Sequence, residues 1–236
     1  DHIEIHVGSR CNNEKNDNAV HRGILEGHIG RENIRQNSSI NDHIRSLSRH
    51  AICGALTGVP VMIPALPSMR RIIPSDKWLK SLYAENWTYL ICGFCLSREV
   101  VAEYEHELIS EIAYLRGRVI RDDILYAERR LAEQYQASLE ATLKRLEQGR
   151  LIGAWQTCVY FFAENESVIR QGLGIISSHF SNKKAVVQPI RAHICRKSRE
   201  LKPSFANLLT SSEAAAFLTI PEEEAPGFQV KHIARF

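Results

Sequence analysis

Cys92 and Cys95 carry the most specific chemical signal in the chain. They form a C-x-x-C, Cys92-Gly93-Phe94-Cys95, between an apolar run and a stretch with helical periodicity. Strand, C-x-x-C and helix is the order thioredoxin-like oxidoreductases use, because a helix N-terminus lowers the pKa of a thiol placed on it. A redox enzyme acting through Cys92 and Cys95 is therefore one reading. Three features favour a plainer one. Ser97 is the natural cap, so the helix starts after Cys95. The residues between the cysteines include neither Pro nor His. The N-terminal half lacks the strand-helix unit that precedes such a site. On the plainer reading a buried strand runs through Leu96, Cys92 and Cys95 face opposite sides of it, and both thiols are inert.

Other constellations exclude more than they offer. A zinc finger would need a second ligand pair at finger spacing. Cys11, Cys53, Cys158 and Cys195 are single residues, and His106, His179 and His193 are scattered. No H-E-x-x-H, G-x-S-x-G or G-x-x-x-x-G-K-[ST] occurs. The chain thus has no zincin helix, no nucleophile elbow and no phosphate-cradling loop. Gly172-Leu173-Gly174 lies in a helical pattern and lacks the third glycine of a dinucleotide turn. No catalytic, metal-ligating or cofactor-binding residue is assigned. One charge asymmetry stands out, "KKAVVQPIRAHICRKSRELK". There Lys183, Lys184, Arg191, Arg196, Lys197, Arg199 and Lys202 face Glu200 alone. Such a cluster suits the phosphate backbone of DNA or an acidic partner. A solvated loop is the alternative.

The elements that would position these residues can be read from periodicity and breakers. "HIEIHVG" alternates as a half-buried strand does. Asn- and Gly-rich sequence follows to residue 50, with a short helix at Ile40–Arg49. Residues 54–76 hold four prolines and two glycines, which reads as a long connecting loop. Trp87–Leu96 reads as a strand. Ser97 then caps a helix with Glu99 in its first turn and a stripe of Val101, Tyr104, Leu108, Ile112 and Leu115. A second helix, Asp122–Gln148, has Ile124, Leu131, Tyr135, Leu139, Leu143 and Leu146 as its stripe and Gly149 as its stop. "WQTCVYFFA" is a strand, Glu164–Phe180 a helix, and 185–195 a strand in which Pro189 suits an edge or a start. Thr210 and Glu213 form a capping box for a short helix that stops before Pro221.

This order predicts an α+β or α/β fold, a small sheet with helices on one face and a projecting helix pair at 98–148. Three regions follow: an N-terminal strand and insert at 1–50, an α+β domain at 51–203, and a linker with a short helix at 204–236. The chain has 236 residues, 44% hydrophobic and 24% charged, enough to bury a substantial core. Its net charge of +3 is too mild to imply nucleic acid by itself. No apolar run is long enough to cross a bilayer, and no secretory signal is visible. Six thinly spread cysteines read as reduced thiols of a cytoplasmic protein. Asp1 in place of an initiator Met, and a final "VKHIARF" that looks like a strand beginning, read as marks of a fragment.

Two stretches together resemble a known family. "LICGFCLSREVVAEYEHELISEIAYLR", with the later "LKRLEQGRLIGAWQTCVYFFAENESVIRQGLGIISSHFS", resembles the region upstream of the motor in HerA/FtsK-like ATPases. These include bacterial proteins related to the ATPases of conjugative type IV secretion. The strand of the form W-x-x-x-V-Y-x-x-A, here Trp155, Val159, Tyr160 and Ala163, belongs to that pattern. So do "FANLLTSSEAAAFLTIPEEEAPGFQV" and "GALTGVP". The resemblance spans residues 51–230. It implies a parent that is a hexameric, DNA-translocating ATPase using ATP and Mg, with its motor beyond Phe236. The chain would then be a non-catalytic N-terminal accessory region serving assembly, partner docking or DNA guidance. Its partners would be copies of itself through the motor, DNA, and a nuclease or other effector protein. A free-standing interaction module that docks through the 98–148 helix pair is the remaining reading.

Overall fold

The computed structural model describes residues 52–61, 74–83, 85–119, 126–180, 188–195 and 205–218. All of them lie in one compact unit, His50–Ile220. The strand expected at 2–8, the helix expected at 40–49 and the sequence beyond 218 lie outside the described residues.

A ten-residue strand, β3 (Ala154–Ala163), is the spine of an antiparallel sheet. Along one side it pairs with β2 (Trp87–Cys95), from Trp87 opposite Ala163 to Cys95 opposite Trp155. Along the other side two shorter strands share its length. β1 (Ile52–Thr57) pairs with its second half, and β5 (Asn207–Thr210) with its first. β4 (Arg191–Cys195) pairs with β1. The fold class is therefore α+β, a small sheet with helices. Residues 205–218, placed in a linker by the sequence, contribute a strand of this sheet and the helix that follows it.

Alternation along β3 sorts the two faces. Val159, Phe161 and Ala163 point into the main core. Above them lie three helices. α1 (Pro74–Ser81) inserts Trp78, whose indole Nε1 donates to the Gly172 carbonyl oxygen at 3.0 Å. α4 (Glu166–Phe180) buries Val168, Ile169, Leu173 and Ile176. α5 (Ser211–Phe217) adds Phe217, edge-on to Phe180. Buried residues of all three helices join those of the sheet in one core cluster, as the apolar sides of helices packed on a sheet face do.

β1 is a correction. Its proline- and glycine-rich surroundings predict a loop from residue 54, yet "ICGALT" is a strand with four consecutive buried residues. The reason is Gly54. A Cβ there would stand 2.4 Å from Leu173 Cδ1 and 2.7 Å from Ile169 Cγ2. The glycine lets α4 press onto the sheet, so a residue read as a breaker is a packing device. The regular part of the later strand also starts at Arg191, with Pro189 leading in.

Two long helices form the projecting pair, α2 (Arg98–Val119) and α3 (Tyr126–Ile152). At ~1.5 Å per residue they run about 33 and 40 Å. Ser97 accepts from the Val100 N–H at 3.4 Å as the N-cap of α2. α3 runs past Gly149, the expected stop. Gly149 is buried, and a Cβ on it would sit 3.2 Å from Ala154 Cβ. The chain turns instead at Gly153, whose φ of 106° belongs to the left-handed region, with its N–H bonded to the Gly149 carbonyl. Among the described residues no helix is long and apolar enough to cross a membrane.

Candidate functional site

The hairpin's seam follows a four-three spacing. In α2 it is built from Val101, Glu105, Leu108, Ile112 and Leu115, and in α3 from Ala132, Gln136, Leu139, Leu143 and Leu146, all buried or half-buried. Such a seam pairs two helices as a coiled coil. Cross-helix pairs fix the antiparallel register: Arg116 with Glu140 at 2.8 Å, and Arg150 with Glu105 at 3.4 Å. The root packs on the sheet through Val101, Leu146 and Ala154. Arg145 ties it down further. Its guanidinium donates twice to Glu213, at 2.7 and 2.8 Å, and once to the Leu208 carbonyl at 2.8 Å. Glu213 also closes the capping box with Thr210 at the start of α5.

Three residues of the expected stripe do not enter the seam. Tyr104, Leu131 and Tyr135 are exposed. Two of them, Tyr104 and Tyr135, line a groove of about 410 Å³ between α2 and α3 that ends at Leu208 of β5. One comes from each helix, and Leu139 is part of the groove's wall. Glu107 and Glu111 line it too, one helical turn apart on α2. Among the described residues neither forms an ion pair. The groove therefore offers two aromatic faces, aliphatic contact and two negative charges. That combination favours Lys or Arg side chains, which place their stems on apolar surface and their cations over aromatic rings.

The cysteines divide otherwise than expected. Cys92 and Cys95 lie in the last turns of the β2 pleat, on opposite faces, but both are exposed. Only the first five residues of β2 are half-buried, and the last four, Cys92 to Cys95, are exposed although their pairing with β3 continues to Cys95. A disulfide between the two is precluded by the strand: three residues of extended chain separate their Cα atoms by about 10 Å, beyond the ~7 Å a disulfide spans. The residue as a whole is exposed, but partial desolvation of its thiol, and then the neighbouring Cys158, push the Cys92 thiol up rather than down. A thioredoxin-type first cysteine, activated at neutral pH by a helix N-terminus, requires the reverse.

The basic segment is represented by Arg191 alone, exposed on the outermost described strand, β4. Lys183, Lys184, Arg196, Lys197, Arg199 and Lys202 lie outside the described residues. Among the described residues no group of three or more His, Cys, Asp or Glu side chains is placed to hold a metal ion. Sequence reasoning missed the groove. Its signal was present in Glu107 and Glu111 beside an aromatic stripe that is one position wider than a coiled-coil seam needs. Compared with models of known protein families, with curated proteins and with solved structures, the chain matches none.

Proposed function

We propose that this region is a non-catalytic docking module, and that its helical hairpin binds a basic, apolar-faced segment of a partner protein. The observation that carries the reading is the groove between α2 and α3, aromatic on both walls and edged by Glu107 and Glu111, which form no ion pair among the described residues. A second copy fits less well. An isologous contact places a surface against itself, which would bring these carboxylates together. The accessory role implied by the resemblance to HerA/FtsK-like ATPases is compatible with such docking. In that setting the parent would be a cytoplasmic hexamer using ATP and Mg, with this chain presenting the hairpin to an effector. The resemblance is tested by the coding sequence after Phe236, where a G-x-x-x-x-G-K-[ST] supports it and an immediate stop codon opposes it.

Docking is tested with a labelled helical peptide bearing Leu at i, i+3 and i+7 and Arg at flanking positions. Fluorescence anisotropy should show saturable binding. The Glu107→Lys/Glu111→Lys variant should weaken it by about tenfold, a loss of ~1.4 kcal/mol. A version of the peptide with Glu for Arg should bind no better than that. Equal affinity for the two peptides, or an unchanged affinity in the variant, overturns the reading.

A further inference from the structure

The antiparallel register that separates Cys92 from Cys95 gives Cys92 another neighbour. Cys92 stands directly opposite Cys158 of β3. Directly opposed residues share a face of the sheet, with Cα atoms about 4.5 or 5.5 Å apart depending on the hydrogen-bonding class of the pair. Both values fall in the ~4.4–6.8 Å that a disulfide bridges. Cys92 is exposed and Cys158 half-buried, and neither is bonded to another cysteine. A second opposed pair, Cys53 and Cys195, joins β1 to β4. That pair is buried, and Cys53 Sγ lies 3.7 Å from the Cys195 carbonyl oxygen. The sheet therefore contains two cross-strand dithiols, one open to reagents in solution and one closed.

We propose that Cys92 and Cys158 form a redox-active dithiol that exchanges with small disulfides, and that Cys95 takes no part. The co-reactant is a low-molecular-weight disulfide of the glutathione class. The Cys92 thiol loses its proton, and the thiolate attacks one sulfur of that disulfide. The disulfide's S–S bond breaks and one thiol leaves. The Cys158 thiolate then attacks Cys92 Sγ of the mixed disulfide and expels the second thiol. Two protein thiols are oxidised and one small disulfide is reduced to two thiols, which take up the two protons. The new bond ties β2 to β3 beside the root of the hairpin, where the Leu96 N–H already bonds the Ala154 carbonyl at 2.9 Å. Partial desolvation of the thiol, and then Cys158, raise the Cys92 thiol. The exchange should therefore keep gaining rate as pH rises through and above the ordinary thiol value of ~8.5, since the thiolate fraction limits it.

The reduced full chain is incubated with oxidised glutathione, quenched in acid, and its non-reduced peptides are mapped by mass spectrometry. The expected product is a peptide pair linked through Cys92 and Cys158. Cys158→Ser should abolish that link and leave a glutathione adduct on Cys92, while Cys95→Ser should leave the link intact. A Cys92–Cys95 link, a lasting glutathione adduct on Cys92 in the unaltered chain, or no reaction of the folded chain overturns the proposal. The unaltered chain gives the deciding result even if a variant fails to fold.

Discussion

Gly172 and Gly174 are two residues apart in α4 and look alike in the sequence, where both read as blemishes in a helix. Their surroundings differ. A Cβ on Gly172 would stand 2.5 Å from Phe161 Cζ, whereas one on Gly174 would meet nothing within 4 Å. The Phe161 ring cannot give way easily, since it stacks on Trp87 at 5.6 Å and meets Trp78 at 5.7 Å. Alanine in a helix gains about 0.5–1 kcal/mol over glycine when space allows. Overpacking a closed core costs about 1–3 kcal/mol, so at position 172 the second effect wins. Gly174→Ala should raise the melting temperature by roughly 2–4 °C, and Gly172→Ala should lower it by at least as much. Scanning calorimetry of both variants checks this; a stabilised Gly172→Ala would contradict the packing described. Residue-level chemistry was partly legible. The C-x-x-C could be placed on a strand from its apolar run. That Cys158 is its neighbour could not, because register depends on pairing between distant segments.

At the scale of elements, the long helices were easy to read and the way they are held was not. Periodicity places both hairpin helices, but Tyr104, Leu131 and Tyr135 look like core positions and are exposed. A helix carries a broad apolar stripe whether it meets one neighbour or two, and only the partner decides which edge stays open. β1 was illegible for a related reason, since Gly54 acts through the approach of α4. The anchoring of the hairpin is equally non-local, joining Arg145 to Glu213 across 68 positions of sequence. The side chains of this pair are 16% and 12% exposed, against 62% and 43% for Arg116 and Glu140. Removing one member of a well-buried pair leaves a stranded charge, at about 3 kcal/mol. An exposed pair contributes about 0.2–1 kcal/mol. Arg145→Met should therefore lower the urea midpoint strongly, and Arg116→Ala should barely move it. Similar losses in the two variants would mean that Arg145 does not anchor the hairpin.

For the whole molecule, the α+β class follows from the alternation of strand and helix patterns, and what the sequence leaves open is how the core is closed. Tyr89 of β2 shows how. It packs against Trp78 at 4.7 Å, and its hydroxyl donates to the Phe217 carbonyl oxygen at 3.1 Å. One side chain thus links an outer strand, α1 and the end of α5. Tyr89 as a residue is only half-buried, but its hydroxyl ends beneath α5, and burial pushes that hydroxyl well above the ordinary tyrosine range. The sign of the effect follows from proton counting. Above the ordinary value of ~10 the unfolded chain releases this proton while the folded chain keeps it. The unfolded state then binds fewer protons, so stability falls as pH rises, by up to ~1.4 kcal/mol per pH unit for this one group. Below pH ~10 the contribution is fully present. Tyr89→Phe should lose about 1 kcal/mol at neutral pH through the missing hydrogen bond. The same variant should show a shallower decline in stability between pH ~10 and ~11.5, because its ring has no proton to release. Urea unfolding across that range measures both effects. Parallel alkaline limbs for Tyr89→Phe and the unaltered chain would place the hydroxyl in water in the folded state, and the closure of the core by β2, α1 and α5 would have to be redrawn.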